Sequence, residues 1–108
     1  MNWREIHPGS ILREEIEARG LSAAALALKL RVAPQRIQEI VAGKRGITPE
    51  TALRLGRYFG NEPEFWLSLQ STYDLAVLRR ELGARIEAEV DVTAWHSSPP
   101  VTRNDRPV

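Results

Sequence analysis

Amide and guanidinium side chains, followed by two further cations, are concentrated near the middle of the chain. The residues are Gln35, Arg36, Gln38, Lys44 and Arg45. A glutamine amide can form two hydrogen bonds with adenine, and an arginine guanidinium can do the same with guanine. Cations just beyond a helix can bind phosphates, or they can complement the negative end of that helix. These residue types predict contacts with bases and phosphates, although a plain solvated helix surface would look similar.

Three further residues complete the predicted DNA-binding set. Glu39 could accept a hydrogen bond from cytosine N4, or it could pair with Arg36 three residues earlier. Ser22 precedes the first short helix of this region, and Arg31 stands in the turn that follows that helix. All three lie within or beside the basic stretch, so they are expected to share its surface.

The distribution of charge supports a localised basic face. The whole chain of 108 residues carries a net charge of only +1. Residues 21–47 hold five cations and one acid, which gives +4, whereas the segments before and after them up to residue 92 are acidic. A basic middle between acidic flanks is expected of a phosphate-binding face. Charge alone does not separate this reading from a solvated helix surface.

Local start and stop signals divide the chain into five helices. Proline suits the first helical position because its missing N–H would have no partner there, and the candidates are Pro8, Pro34, Pro49 and Pro63. Ser22 can cap the remaining helix, which begins at Ala23. Glycines suited to left-handed caps follow at Gly20, Gly43 and Gly60. The signals predict an all-α domain over residues 1–92, with the fifth helix ending near Leu82.

Two short helices joined by a tight turn form the centre of this arrangement. Residues 23–30 and 33–42 are each too short to be stable alone, which is typical of a helix-turn-helix. Ile37, Ile40 and Val41 give the second helix an aliphatic inner face. In that motif the second helix enters the major groove, so the amide and guanidinium groups on its other side would face the bases.

The fifth helix carries an apolar stripe that serves either the core or a dimer face. Aromatic and aliphatic residues at helical spacing more often form a core than a ligand site. A dimer face is the second option, because this helix is longer than one small domain requires. The predicted dimer residues are Trp66, Leu69, Tyr73, Val77, Ile86 and Val90.

The segment after Gly83 fits two structures. Apolar and acidic residues alternate strictly from 86 to 92, and a period of two favours a short strand. Leu82, Ile86 and Val90 also repeat every four residues, which would continue the helix. Residues 93–108 contain three prolines and little to bury, so they are expected to form a flexible tail.

The chain resembles the HigA antitoxins, the XRE-type helix-turn-helix partners of HigB toxins in bacterial toxin–antitoxin modules. The resemblance covers roughly residues 6–82, and several short motifs occur in the family's order. They are HPGSIL at 7–12, RIQEIV at 36–41, GKRGIT at 43–48, TALRL at 51–55, YFG at 58–60, PEFWL at 63–67, LQ at 69–70 and YDL at 73–75.

The resemblance implies a lambda-repressor-like domain that binds an inverted repeat in operator DNA as a homodimer and represses its own promoter. It also implies neutralisation of a HigB-type mRNA-cleaving toxin by direct binding. Arg31 departs from the wider pattern, because a turn glycine is common there; it either strains the turn or places a charge beside the phosphates. A free-standing XRE regulator and a toxin-binding module with weak DNA binding are the alternatives.

Several other classes of protein are disfavoured. The chain has no cysteine, which excludes disulfides and thiolate metal sites. It shows no glycine-rich phosphate loop, no metal-ligand spacing and no paired nucleophile and base. We therefore expect no enzymatic activity, cofactor or metal. Because no apolar run has membrane-spanning length, we expect no membrane partner and a cytoplasmic location.

Overall fold

The computed structural model describes residues 5–95. Within that range the chain forms five α-helices and no strand, as the sequence predicts for an all-α fold. They are α1 (Pro8–Ala18), α2 (Ala23–Leu30), α3 (Pro34–Val41), α4 (Pro49–Phe59) and α5 (Pro63–Glu89). The tail predicted for residues 93–108 lies outside the described residues from position 96 onward, and residues 91–95 are exposed.

The helices begin where the local signals place them. Four of them have proline in the first turn, at Pro8, Pro34, Pro49 and Pro63. Ser22 caps α2, since its Oγ accepts from the backbone N–H of Ala25 at 3.0 Å. Thr48 caps α4 in the same way, accepting from Thr51 at 3.3 Å. Each of these caps satisfies a backbone donor that the first turn leaves without a partner.

One aliphatic core joins all five helices. Its fully buried members include Leu12, Leu26, Ile37, Ile40, Leu55 and Trp66. The indole N–H of Trp66 donates to the side-chain oxygen of Asn61 at 3.2 Å, so its only polar group is satisfied inside the chain. Trp66 is 1% exposed. Its prediction as a dimer residue is therefore wrong, because core packing within one chain leaves it no surface.

Helices α1 and α3 approach each other closely at Gly9. A Cβ atom built on Gly9 would lie 1.8 Å from the carbonyl oxygen of Ile40 in α3. One turn further along α1, the guanidinium of Arg13 donates to the carbonyl oxygen of Val41 at 2.9 Å. The missing side chain of Gly9 thus lets α1 pack directly on the last turn of α3.

Helix α5 is longer than the sequence signals predict. It continues through Gly83 to Glu89, so the predicted end near Leu82 is wrong, and of the two structures open to the segment after Gly83 the helix is found up to Glu89. Alternating residues form a strand only with a neighbouring strand to pair with, and residues 5–95 contain none. The apolar residues that recur every four positions, together with strong helix formers such as Ala and Glu, favour the helix instead. None of the described helices combines the length and hydropathy that a membrane crossing requires.

Candidate nucleic-acid interface

Helix α3 turns its aliphatic side inward and its polar side outward. Ile37 and Ile40 have no exposed surface, whereas Gln35 and Gln38 are exposed on the other side. The amphipathic pattern explains this orientation, because burying two isoleucines contributes roughly 4 kcal/mol. The amide groups of Gln35 and Gln38 are therefore accessible to a ligand.

The turn between α2 and α3 is built around a strained residue. Arg31 ends α2 with φ 63° and ψ 42°, and it is the one non-glycine residue of the described chain with positive φ. Its N–H bonds to the last turn of α2, and its side chain is exposed. A left-handed conformation costs a residue with a Cβ about 1 kcal/mol. The predicted strain in the turn is therefore present, and the exposed charge of Arg31 stands at the corner of the turn, where a contact with phosphates remains a prediction.

Glu39 lies at the centre of a hydrogen-bonded network on the outer side of α3. Its Oε2 accepts from the Nε2 of Gln35 at 2.7 Å. Its Oε1 accepts from Nε and Nη2 of Arg45, both at 2.8 Å. The bond from Gln35 and then the bond from Arg45 lower the pKa of Glu39 below its ordinary value. The alternative pairing with Arg36 is wrong, because the guanidinium of Arg36 points toward α4.

Arg36 ties α3 to the start of α4. Its Nη1 lies 3.5 Å from the carboxylate of Glu50 and 3.5 Å from the hydroxyl of Thr51. Glu50 also accepts from Arg54 at 3.0 Å, so one carboxylate holds two guanidinium groups. The side chain of Arg36 is 28% exposed, so it is partly accessible to solvent although it contacts Glu50. It lies at the edge of the outer face and anchors that face to the domain.

The two cations after α3 lie on a loop with a fixed backbone. The N–H of Lys44 bonds to the carbonyl oxygen of Glu39 at 2.8 Å, and Gly43 before it adopts the left-handed conformation. Further along the loop, the N–H of Ile47 donates to Oε1 of Gln70 in α5 at 2.7 Å. Nε2 of Gln70 in turn donates to Asp74 at 3.0 Å. Gln70 therefore fixes the loop against α5, while Lys44 remains exposed to solvent.

Arginines from other helices bind the carbonyl ends of both helices of the motif. Arg54 of α4 donates to the carbonyl oxygen of Leu30, the last residue of α2, at 2.9 Å. Arg13 of α1 does the same for Val41, the last residue of α3. A cation at a helix C-terminus satisfies a carbonyl without a partner and interacts favourably with the helix dipole. These contacts, like that of Gln70, join distant parts of the chain, and spacing along the sequence gives no sign of them.

The remaining predicted residues divide between a cap and a helix surface. Ser22 is exposed, and its Oγ caps α2, so the hydroxyl can still donate a hydrogen bond to a ligand. Along α5, Leu69, Tyr73 and Val77 are half-buried, whereas Ile86 and Val90 are 48% and 62% exposed. The ring of Tyr73 packs edge-on against His7 at 5.0 Å. Among the predicted dimer residues, those near the C-terminus of α5 are thus the most accessible.

The helix-turn-helix family model matches residues 12–67, which include α2, α3 and α4. The chain belongs to the XRE-type helix-turn-helix family. Among the relatives of this family member is virulence-associated protein I of Dichelobacter nodosus, which is 56% identical over 77 residues, or 70% of this chain and 71% of that protein. Sequence similarity to this relative thus extends over most of the length of both proteins.

Solved structures place this helix-turn-helix protein beside the HigA antitoxins. An addiction module antidote protein of the HigA family from Coxiella burnetii is 45% identical, with a TM-score of 0.80 over 83% of this chain and 99% of that one. The antitoxin HigA of Pseudomonas aeruginosa, solved with the higBA promoter, is 44% identical, with a TM-score of 0.78 over 81% and 96%. Likeness at this level confirms the resemblance to the HigA antitoxins.

Proposed function

We propose that this protein is an antitoxin that represses its own operon as a homodimer and neutralises a HigB-type, mRNA-cleaving toxin by binding it. The observation that supports this most directly is the orientation of α3, which keeps Gln35 and Gln38 accessible above a buried aliphatic side. The similar HigA of Pseudomonas aeruginosa was solved with promoter DNA. The proposed DNA contacts are those of Ser22, Arg31, Gln35, Arg36, Gln38 and Lys44.

The proposed contacts divide into two chemical classes. Gln35, Gln38 and Arg36 carry groups that can bond to base edges, and they lie on or beside the exposed side of α3. Lys44 and Arg31 lie at the two ends of that helix, where phosphates flank a major groove. The first class is expected to determine sequence preference, and the second is expected to strengthen binding to every sequence.

Binding to the DNA upstream of the protein's own gene tests the repressor function. A duplex of that region and a shuffled duplex of equal composition are titrated at several salt concentrations and followed by fluorescence anisotropy. Gln35→Ala should reduce the preference between the duplexes. Lys44→Ala should weaken both and flatten the salt dependence by about 0.9 in log–log slope. Arg85→Ala, which removes a cation from the far end of α5, is the control and should change neither.

The homodimer is proposed to form through α5. Ile86 and Val90 are well exposed, and Leu75 and Leu78, on the same side of the helix, add apolar surface that is 55% and 49% exposed. Binding to an inverted repeat would require the dimer to hold two copies of α3 about 34 Å apart, one turn of DNA. Sedimentation equilibrium should give a dimer for the wild type and a monomer for Leu78→Glu. An unchanged mass for that variant would exclude this face.

Neutralisation of the toxin is tested with the product of the adjacent gene. Co-expression should relieve the growth arrest that the toxin causes, and the two proteins should co-purify. Rescue that survives Gln35→Ala and Lys44→Ala would separate toxin binding from DNA binding. A wild type that binds the upstream duplex without rescuing growth would instead be a free-standing regulator, and rescue without DNA binding would identify a toxin-binding module.

A further inference from the structure

The carboxylate of Glu39 uses both of its oxygens to hold side chains that face the proposed DNA groove. Oε2 binds the amide of Gln35, one turn earlier on α3, and Oε1 binds the guanidinium of Arg45 beyond the helix end. The side chain of Glu39 is 30% exposed, so the network lies at the surface and is not part of the core. An acid placed among phosphate-binding cations weakens binding to DNA. An acid at this position is therefore expected to have a second role that offsets the loss of DNA affinity.

We propose that Glu39 determines sequence discrimination by positioning Gln35 and by withholding Arg45 from phosphates. This inference rests on the proposed function, since it concerns how the same face reads DNA. Glu39 acts here as a positioning residue, because its two oxygens are directed at protein groups and not at a base.

The effect on Gln35 follows from the chemistry of the amide. Its Nε2 carries two hydrogens, of which one is donated to Glu39. The other hydrogen and the carbonyl oxygen remain on the free edge of the amide, and this donor–acceptor pair matches N7 and N6 of adenine. A flipped amide would place its oxygen against the carboxylate, so Glu39 selects one orientation. Gln35 is thus ordered before it meets DNA, which reduces the entropy lost on binding.

The effect on Arg45 is electrostatic. Two nitrogens of its guanidinium, Nε and Nη2, face Glu39 at 2.8 Å. A cation engaged in such a pair releases fewer counterions when DNA arrives, so it adds less to the binding that every sequence shares. Lys44, its neighbour, is exposed and forms no salt bridge among the described residues. Glu39 therefore lowers the affinity for non-operator DNA and leaves one cation on the loop for phosphates.

The test compares Glu39→Gln with the wild type on the upstream duplex and on the shuffled duplex. Freeing one cation should strengthen binding to the shuffled duplex about fivefold at 0.15 M salt and steepen the log–log salt slope by about 0.9. Loss of the ordered amide should reduce the preference for the upstream duplex about tenfold. Glu17→Gln, which removes the same charge from an exposed site on α1, is the matched control and should preserve the preference.

A double-mutant cycle separates positioning from direct contact with a base. In the Gln35→Ala background, Glu39→Gln should cause little further loss of preference, because both changes act through one amide. A further tenfold loss in that background would overturn the positioning role. An unchanged preference in the single variant, with a wild type that discriminates, would overturn the inference alone. A wild type that binds both duplexes equally would overturn the proposed function, and this inference with it.

Discussion

Gly9→Ala is expected to destabilise the protein, although alanine is the better helix former. Gly9 is buried in the first turn of α1. The new Cβ would lie 1.8 Å from the carbonyl oxygen of Ile40 and 2.8 Å from its carbonyl carbon. Both are backbone atoms, which cannot rotate away as a flexible side chain can. Helices α1 and α3 would therefore have to separate by about 1 Å in a close-packed region.

The expected size of the effect follows from three contributions. Overpacking of a core costs about 1–3 kcal/mol. Separation of the helices would also lengthen the bond from Arg13 to Val41, which contributes about 1 kcal/mol. The higher helix propensity of alanine offsets about 1 kcal/mol of this loss of stability. The net loss in the free energy of unfolding is about 2 kcal/mol, a large part of the stability of a small domain.

Gly83→Ala provides the matched control, because the same substitution then lies inside another helix. The nearest atom to its Cβ would be the Cγ of Arg79 at 3.4 Å, an ordinary van der Waals contact. That variant should gain about 1 kcal/mol. Urea denaturation at one protein concentration, followed by circular dichroism, should place the two midpoints on opposite sides of the wild type. A midpoint for Gly9→Ala at or above that of the wild type would refute the close packing of α1 on α3.

Three further predictions concern the turn, the first cap and the loop. Arg31→Gly should stabilise the fold by about 0.5–1 kcal/mol in the same denaturation assay, because glycine relieves the left-handed strain, while titration should show weaker binding to operator and shuffled DNA alike. Burial lowers the pKa of His7 below its ordinary 6.5, against the opposing effect of Asp74. As the pH falls, the unfolded chain therefore binds a proton at His7 before the folded chain does. The contribution of neutral His7 to the free energy of unfolding is thus fully present above pH 6.5 and decreases below it. His7→Asn, which retains a capping acceptor for Gly9, should reduce that dependence in denaturation curves measured from pH 5 to 8. Gln70→Ala should cost about 1–2 kcal/mol by leaving the N–H of Ile47 without its partner, and hydrogen exchange at that amide should accelerate.

The parts of the fold that the sequence predicts are those set by local chemistry. Prolines and capping hydroxyls act within one turn, so the starts of all five helices follow from residues such as Ser22 and Pro34. The inward side of α3 follows in the same way from the spacing of Ile37 and Ile40. Their burial depends on helical periodicity and on little else.

The parts that escaped prediction depend on distant groups. The apolar residues after Gly83 fit both the period of a strand and the period of a helix. Which structure forms depends on whether another strand is available for pairing. Glu39 pairs with Arg45, six residues away beyond the helix end, a distance to which helical spacing does not apply. Gln70 bonds to a loop 23 residues earlier. Such contacts become visible only when the helices are packed together.

The structure also changes what the charge of the basic segment means. Residues 21–47 carry +4, but Arg45 is paired with Glu39 inside the segment, and Arg36 is paired with Glu50 outside it. Among the described residues, Lys29, Arg31 and Lys44 are the cations of this segment without a salt bridge. Only part of the formal charge is therefore available to phosphates. We therefore expect the proposed face to bind the DNA backbone only modestly and to obtain much of its operator affinity from the bases. Its salt dependence should then be shallower than five cations would produce.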